Sequence, residues 1–320
     1  MMRYSRIVQK PGQSMYIAST AVFLAEVLKI IACLAVMRYQ QRSWEGFTLM
    51  VRHEILGKPK ETLKMLIPSG LYALQNNLLY VALSNLEAAT FQVTYQMKIL
   101  STAIFSVVLL GRSLNRDKWC ALVLLMIGVT MVQSQSMSSA APPEPVASET
   151  DGDMPLDQPL VLAVQNPFIG LVAVITSCIS SGFAGCYFEK ILKTSDTSMW
   201  VRNIQLGISG AFFSFVGMVM YDSQALREGG LLQGYDWLTW VVVANQALGG
   251  LLVAIVVKYA DNILKGFATS LSIIVSGIIS FYLFNFQPTM PFVLGAAIVM
   301  VSSYLYGIDF SKKMSAIKPH

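Results

Sequence analysis

Apolar runs of roughly 20 residues, the length a helix needs to cross about 30 Å of hydrocarbon, recur along the chain. They predict helices at 15–37, 63–83, 88–110, 118–136, 167–188, 199–220, 238–257, 263–285 and 291–308, nine in all. Residues 137–166 break the pattern with Pro, Ser and acidic residues and no Lys or Arg, a composition that cannot build a packed core. This stretch is expected to be a disordered linker on the non-cytosolic side, dividing a first half-repeat (1–136) from a second (167–308) ahead of a cytosolic tail (309–320).

The halves share a layout. "SMYIASTAVFLAEVLKI" from Ser14 lines up with "SMWVRNIQLGISGAFF" from Ser198, each a short polar turn opening into a long apolar helix. The two-helix block 82–132 matches 256–306 at an offset of about 174 residues. On this correspondence the helix at 167–188 should have a partner ahead of Met1. The repeat therefore predicts a ten-helix fold of which this chain carries nine, the first being absent. Repeats that differ by an odd number of crossings are inverted in the membrane, the architecture of alternating-access transporters. The expected fold is an all-α polytopic membrane protein built as an inverted repeat of helical bundles.

Composition supports the membrane reading, because 54% hydrophobic against 13% charged residues leaves too little charge to cover a soluble globule. The net charge of +5 would suggest nucleic acid or an anionic surface if it were spread over one face. Instead most of the 23 Lys and Arg fall in loops 38–64, 111–118, 189–202 and 258–265 and in the tail after 308. By the positive-inside rule that side, with the C-terminus, is cytosolic. The surplus charge reads as orientation, and no nucleic-acid partner is expected.

A few polar residues lie at membrane depth. In "TFQVTYQMKILSTAIFSVVLL", Lys98 stands near mid-span, where a cation costs about 2.5 to 3.5 kcal/mol and needs a partner, water or a ligand. The acidic residue deep in another span is Glu26, and Lys29 at i+3 on its own helix face is its expected partner, a structural or coupling pair. Lys98 is then open to an anion or to a purely structural pairing. Tyr95 and Phe91 share its stripe, which can stack a base or simply pack helices. Gln75, Asn76 and Asn77 are three amides needing partners, suited to helix association or to the edge of a uracil-like ring. Lys258, Asp261, Asn262 and Lys265 open a later helix whose first turn could hold an anion, or they mark the membrane boundary. Gly182 and Gly185 in "SSGFAGCYFEK" allow close backbone approach, with ligand contact as the alternative.

Nothing points to catalysis. The two histidines, His53 and His320, lie in hydrophilic segments, and there is no phosphate loop, nucleophile motif or metal spacing. The four cysteines, Cys33, Cys120, Cys178 and Cys186, all fall within spans and make no disulfide framework. The chain is read as a non-enzyme that needs no cofactor and no metal.

The segments "LQNNLLYVALSNLEAATFQVTYQMKILSTAIFSVVLLGRSL", "SSGFAGCYFEKILK", "WVRNIQLG" and "VVKYADNILKGFATSLSI" closely resemble the Golgi nucleotide-sugar transporters of the UDP-galactose, UDP-N-acetylglucosamine and CMP-sialic acid group. The resemblance covers essentially the whole chain except the linker and tail. "HEILGKPKETLKMLIPSGLYALQNNLLYVALSNL" and "GYDWLTWVVVANQALGGLL" look most like the UDP-N-acetylglucosamine members, and "KYADNILKGFATSLSI" is shared with the UDP-galactose members. Residue 91 is Phe where members of the group often carry Tyr.

The resemblance implies a multi-pass Golgi membrane protein with a cytosolic C-terminus that exchanges cytosolic UDP-N-acetylglucosamine for lumenal UMP by alternating access. UDP-galactose is the alternative substrate. It assigns Lys98 and Lys265 to the phosphates and Asn76 and Tyr95 to the nucleotide pocket, and Gln75 and Asn262 are counted beside them as candidate substrate-binding residues. Gly182, Gly185 and Tyr187 would line the path. A rival reading, motivated by the absent first helix, is a non-transporting form that assembles with a full-length carrier, a second copy or a Golgi glycosyltransferase.

Overall fold

A computed structural model describes residues 16–41, 43–138, 166–195, 197–284 and 287–316. Of the linker predicted at 137–166, residues 139–165 lie outside the described residues. The elements are α1 (Ala18–Gln40), α2 (Trp44–Val51), a π-helical turn (Arg52–Leu56), α3 (Pro59–Lys64), α4 (Leu66–Asn85), α5 (Ala88–Tyr95), α6 (Met97–Leu110) and α7 (Arg116–Ser138). They continue with α8 (Pro167–Thr194), α9 (Met199–Tyr221), α10 (Ser223–Gly229), α11 (Trp237–Tyr259), α12 (Asn262–Phe284) and α13 (Met290–Ala316).

Eight helical stretches among the described residues are long and apolar enough to cross a membrane: α1, the α5–α6 run, α7, α8, α9, α11, α12 and α13. The expected span at 63–83 forms the 20-residue helix α4, which carries Gln75, Asn76 and Asn77 near its middle. Large apolar side chains such as Val108, Phe212, Leu252 and Val275 are more than half exposed. Exposed apolar surface of this kind belongs against hydrocarbon, and the chain is an all-α multi-pass membrane protein.

Three boundaries differ from the pattern reading. The run 88–110 is two helices meeting at Gln96. Helix α8 continues past 188 to Thr194, carrying charged residues that the sequence places in a loop. Helix α13 runs on to Ala316, into the segment expected as a tail.

The chain divides into two compact units, each drawing on both halves of the sequence. One comprises Met1–Gln75, Val108–Leu110 and Ser180–Lys265. Its centre is α1, whose buried positions Ala21, Ala25, Lys29, Cys33 and Met37 recur every fourth residue and form one face. Cys33 and Met37 pack with Val201 and Ile204 of α9 and Leu251 of α11, and Ala21 and Ala25 pack with Val243. Helix α11 opens on a capping box, in which the Asp236 carboxylate takes first-turn N–H groups and Thr239 Oγ1 accepts from Asp236 N–H at 3.5 Å.

The other unit comprises Asn76–Val107, Gly111–Ile179 and Gly266–His320. Helices α7 and α13 approach through paired glycines. A Cβ on Gly128 would lie 2.9 Å from Gly295 O, and one on Gly295 would lie 2.7 Å from Gly128 O. Ser302 Oγ donates to Ala121 O at 2.5 Å along the same seam. Helix α6 stops at Gly111, whose φ of 63° suits glycine, and Arg112 N–H closes the end on Ser106 O at 3.4 Å.

Candidate functional site

Lys98 sits in the first turn after the break in the α5–α6 span. At the break, Gln96 N–H donates to Val93 O at 3.2 Å and Ile99 N–H donates to Gln96 O at 3.0 Å, three-residue turns where an α-helix would make four-residue ones. Two neighbours hold it. Gln96 Nε2 donates to Gln133 Oε1 of α7 at 2.8 Å. The buried Cys178 thiol of α8 donates to Tyr95 O at 3.5 Å.

The half-buried Lys98 ammonium donates to Tyr95 OH at 3.2 Å and stands 5.3 Å from the centre of the Tyr95 ring. Phe91 stacks on Tyr95 at 5.6 Å and an interplanar angle of 9°. Among the described residues no carboxylate pairs with Lys98. Among those residues the cation rests instead on a neutral phenol.

Glu26 instead binds Lys29, Oε2 to Nζ at 2.5 Å, as the spacing predicts. The pair is set into glycine slots. A Cβ on Gly210 of α9 would lie 2.9 Å from Glu26 Oε2, and one on Gly250 of α11 would lie 3.4 Å from Lys29 Cδ. The small residues are what let a charged pair pack within a helical bundle.

On α4 the Gln75 side chain is buried and Asn76 is exposed. On α8 Gly182 and Gly185 are buried, and Tyr187 stacks on Phe183 at 5.8 Å and 14°. A Cβ on Gly185 would collide with the side-chain amide of Asn262, so these two residues form a close helix contact.

The first turn of α12 is already supplied with carboxylates. Asn262 N–H donates to Glu189 Oε2 at 3.0 Å, and Leu264 N–H donates to Asp261 Oδ1 at 2.6 Å. Two of the first-turn N–H groups are thus held by the protein's own acids. Lys265 follows in the same turn, half-buried.

The sequence reading missed two charged residues. Glu189 has no exposed surface and Arg202 is 2% exposed. Arg202 donates to Glu61 Oε2 of α3 at 2.7 Å, to Gln205 Oε1 at 3.0 Å and to Ser195 Oγ at 3.2 Å. Bonds from Lys64 and Arg202 hold the Glu61 carboxyl below the usual carboxylate range, and Lys58 does the same for Glu54. Both residues lie in sequence at the ends of apolar runs, where charges read as boundary markers. The spacing of Glu189 and Lys193 at i, i+4 was the available signal.

The sequence matches the family model for "Nucleotide-sugar transporter" over residues 1–307. It is 53% identical over 310 residues to the UDP-N-acetylglucosamine transporters of Mus musculus and Homo sapiens, covering 96% of this chain and 90% of each relative. It is 50% identical over 307 residues to the UDP-galactose translocator of Bos taurus, covering 96% of this chain and 73% of that protein. With a family match over nearly its whole length and relatives named as transporters rather than enzymes, this chain belongs to the nucleotide-sugar transporter family.

Proposed function

We propose that this chain carries UDP-N-acetylglucosamine from the cytosol into the Golgi lumen in exchange for UMP, by alternating access of an inverted-repeat fold. The observation that carries the reading is Lys98, a cation at a helix break in mid-span with a phenol and an aromatic stack as neighbours. The greater identity to UDP-N-acetylglucosamine transporters supports that sugar. The similar identity to UDP-galactose translocators supports UDP-galactose as the second reading.

Lys98 and Lys265 meet the phosphates, Gln75, Asn76 and Tyr95 the nucleoside, and Gly182 and Tyr187 the path. At an effective dielectric of about 20 a close ammonium–phosphate contact is worth a few kcal/mol before desolvation. Closing without an anion would strip water from Lys98 and leave it only a neutral phenol, a cost of several kcal/mol. The loaded carrier therefore changes state more readily than the empty one, which makes the process an exchange. The distribution of Lys and Arg supports a cytosolic C-terminus.

The test is uptake of radiolabelled UDP-N-acetylglucosamine, UDP-galactose and CMP-sialic acid into liposomes holding this chain and preloaded with UMP. Uptake of UDP-N-acetylglucosamine that requires internal UMP is the expected result. Uptake of the same size without internal UMP would overturn the exchange, and preference for UDP-galactose would move the assignment to the second reading.

A further inference from the structure

Glu189 and Lys193 lie one turn apart near the end of α8 and together grip the junction between α11 and α12. Lys193 Nζ donates to Glu189 Oε1 at 2.7 Å and to Ala260 O at 2.5 Å. Glu189 Oε2 accepts from Asn262 N–H at 3.0 Å. The pair thus holds the last carbonyl side of the junction and the first N–H of α12 at once. One turn earlier on α8, Gly185 leaves the slot that the Asn262 side chain fills. A carboxylate with no exposed surface is costly unless it is paired and hydrogen-bonded, and here it has a cation, a helix N-terminus and its dipole. Lys265 projects from the turn that this grip fixes.

We propose that Glu189, bridged by Lys193, is a positioning residue for transport: it sets the start of α12 and hence where the Lys265 ammonium stands for a phosphate. The inference rests on the assignment of Lys265 to phosphate binding. At an effective dielectric of about 20, drawing an ammonium about 1 Å back from a phosphate it contacts weakens binding roughly tenfold, so the clasp governs affinity for the anion and not only the stability of the helix pair. It acts on the phosphate increment alone, since a nucleoside without phosphate gains nothing from Lys265.

The full chain, purified in detergent, is titrated calorimetrically with UMP and with uridine, and its unfolding is followed without ligand. In Glu189→Gln the Kd for UMP rises about tenfold, the Kd for uridine stays within about twofold, and unfolding remains cooperative. Lys193→Met, at a position near the surface, gives the same signature if Glu189→Gln does not fold, and Lys193→Arg retains wild-type affinity. Glu189→Gln added to Lys265→Met brings no further loss. Equal weakening of UMP and uridine, or no weakening of either while Lys265→Met weakens UMP, would reduce the clasp to packing. An unchanged UMP affinity in Lys265→Met itself overturns the phosphate assignment and the clasp with it.

Discussion

Lys98 meets Tyr95 twice: its ammonium donates to the phenol oxygen at 3.2 Å and lies 5.3 Å from the centre of the same ring. One neutral side chain thereby stabilises a cation in mid-span through a hydrogen bond, without cancelling its charge.

Replacing that cation should separate function from folding. Lys98→Met is expected to abolish UMP-dependent uptake while the amount of protein in the membrane stays near wild type, since no carboxylate among the described residues depends on it. Tyr95→Phe keeps the ring and loses one hydrogen bond, so KM should rise about two- to tenfold. Uptake in proteoliposomes, normalised to protein content, measures both. Loss of folded protein in Lys98→Met would show the lysine to be structural.

The Glu26–Lys29 pair should behave in the opposite way. Lys29→Met leaves the Glu26 carboxylate without its cation, and breaking such a pair costs about 3–5 kcal/mol. The double variant Glu26→Leu with Lys29→Met removes both charges and should recover most of the loss. Thermal unfolding in detergent reads the difference; equal melting temperatures for the single and double variants would refute it.

The seam of α7 and α13 predicts a steric effect. Gly295→Val places a side chain against Gly128 O and Val132 N, backbone atoms that cannot turn aside, and overpacking of this kind costs about 1–3 kcal/mol or more. Gly217→Ala and Gly249→Ala meet nothing within 4 Å and should melt close to wild type. The three melting temperatures, measured side by side, check the contrast.

A pH dependence follows from Glu61. Its carboxyl is held below its ordinary value of 4.5 by Lys64 and Arg202, so its contribution to stability is fully present above that value. It is lost as pH falls through the lowered value. Glu61→Gln should therefore melt below wild type by a constant margin from pH 6 to 8, and the margin should close in acid below about pH 4.5. A margin that persisted unchanged at low pH would assign the effect to shape rather than charge.

The spans and the Glu26–Lys29 pair were legible in the sequence because each rests on local information, run length in one case and i, i+3 spacing in the other. The break at Gln96 was not legible. "FQVTYQMKIL" holds no proline or glycine, and the turn is held by Gln133 and Cys178, which lie 37 and 83 residues or so away in the chain. Glu189 was hidden by position: it follows an apolar run and precedes a lysine, the ordinary signature of a membrane boundary. Helix α8 carries on to Thr194 instead, and the acid becomes buried. The same local ambiguity left the first turn of α12 readable as an anion site or as a membrane boundary, and two of its donors are held by carboxylates, one distant in sequence and one adjacent.

The amide-bearing helix α4 has a consequence for how the chain is made. A segment with Gln75, Asn76 and Asn77 in its middle partitions weakly into lipid during synthesis. Its C-terminal end docks on α8, where Gly170 admits Asn85 and Leu86 and Asn166 N–H donates to Asn85 Oδ1 at 3.1 Å. That partner is translated 81 residues later. Helix α4 thus completes its packing only once a later segment is made, and its final integration is set by assembly with that segment as well as by its own hydropathy.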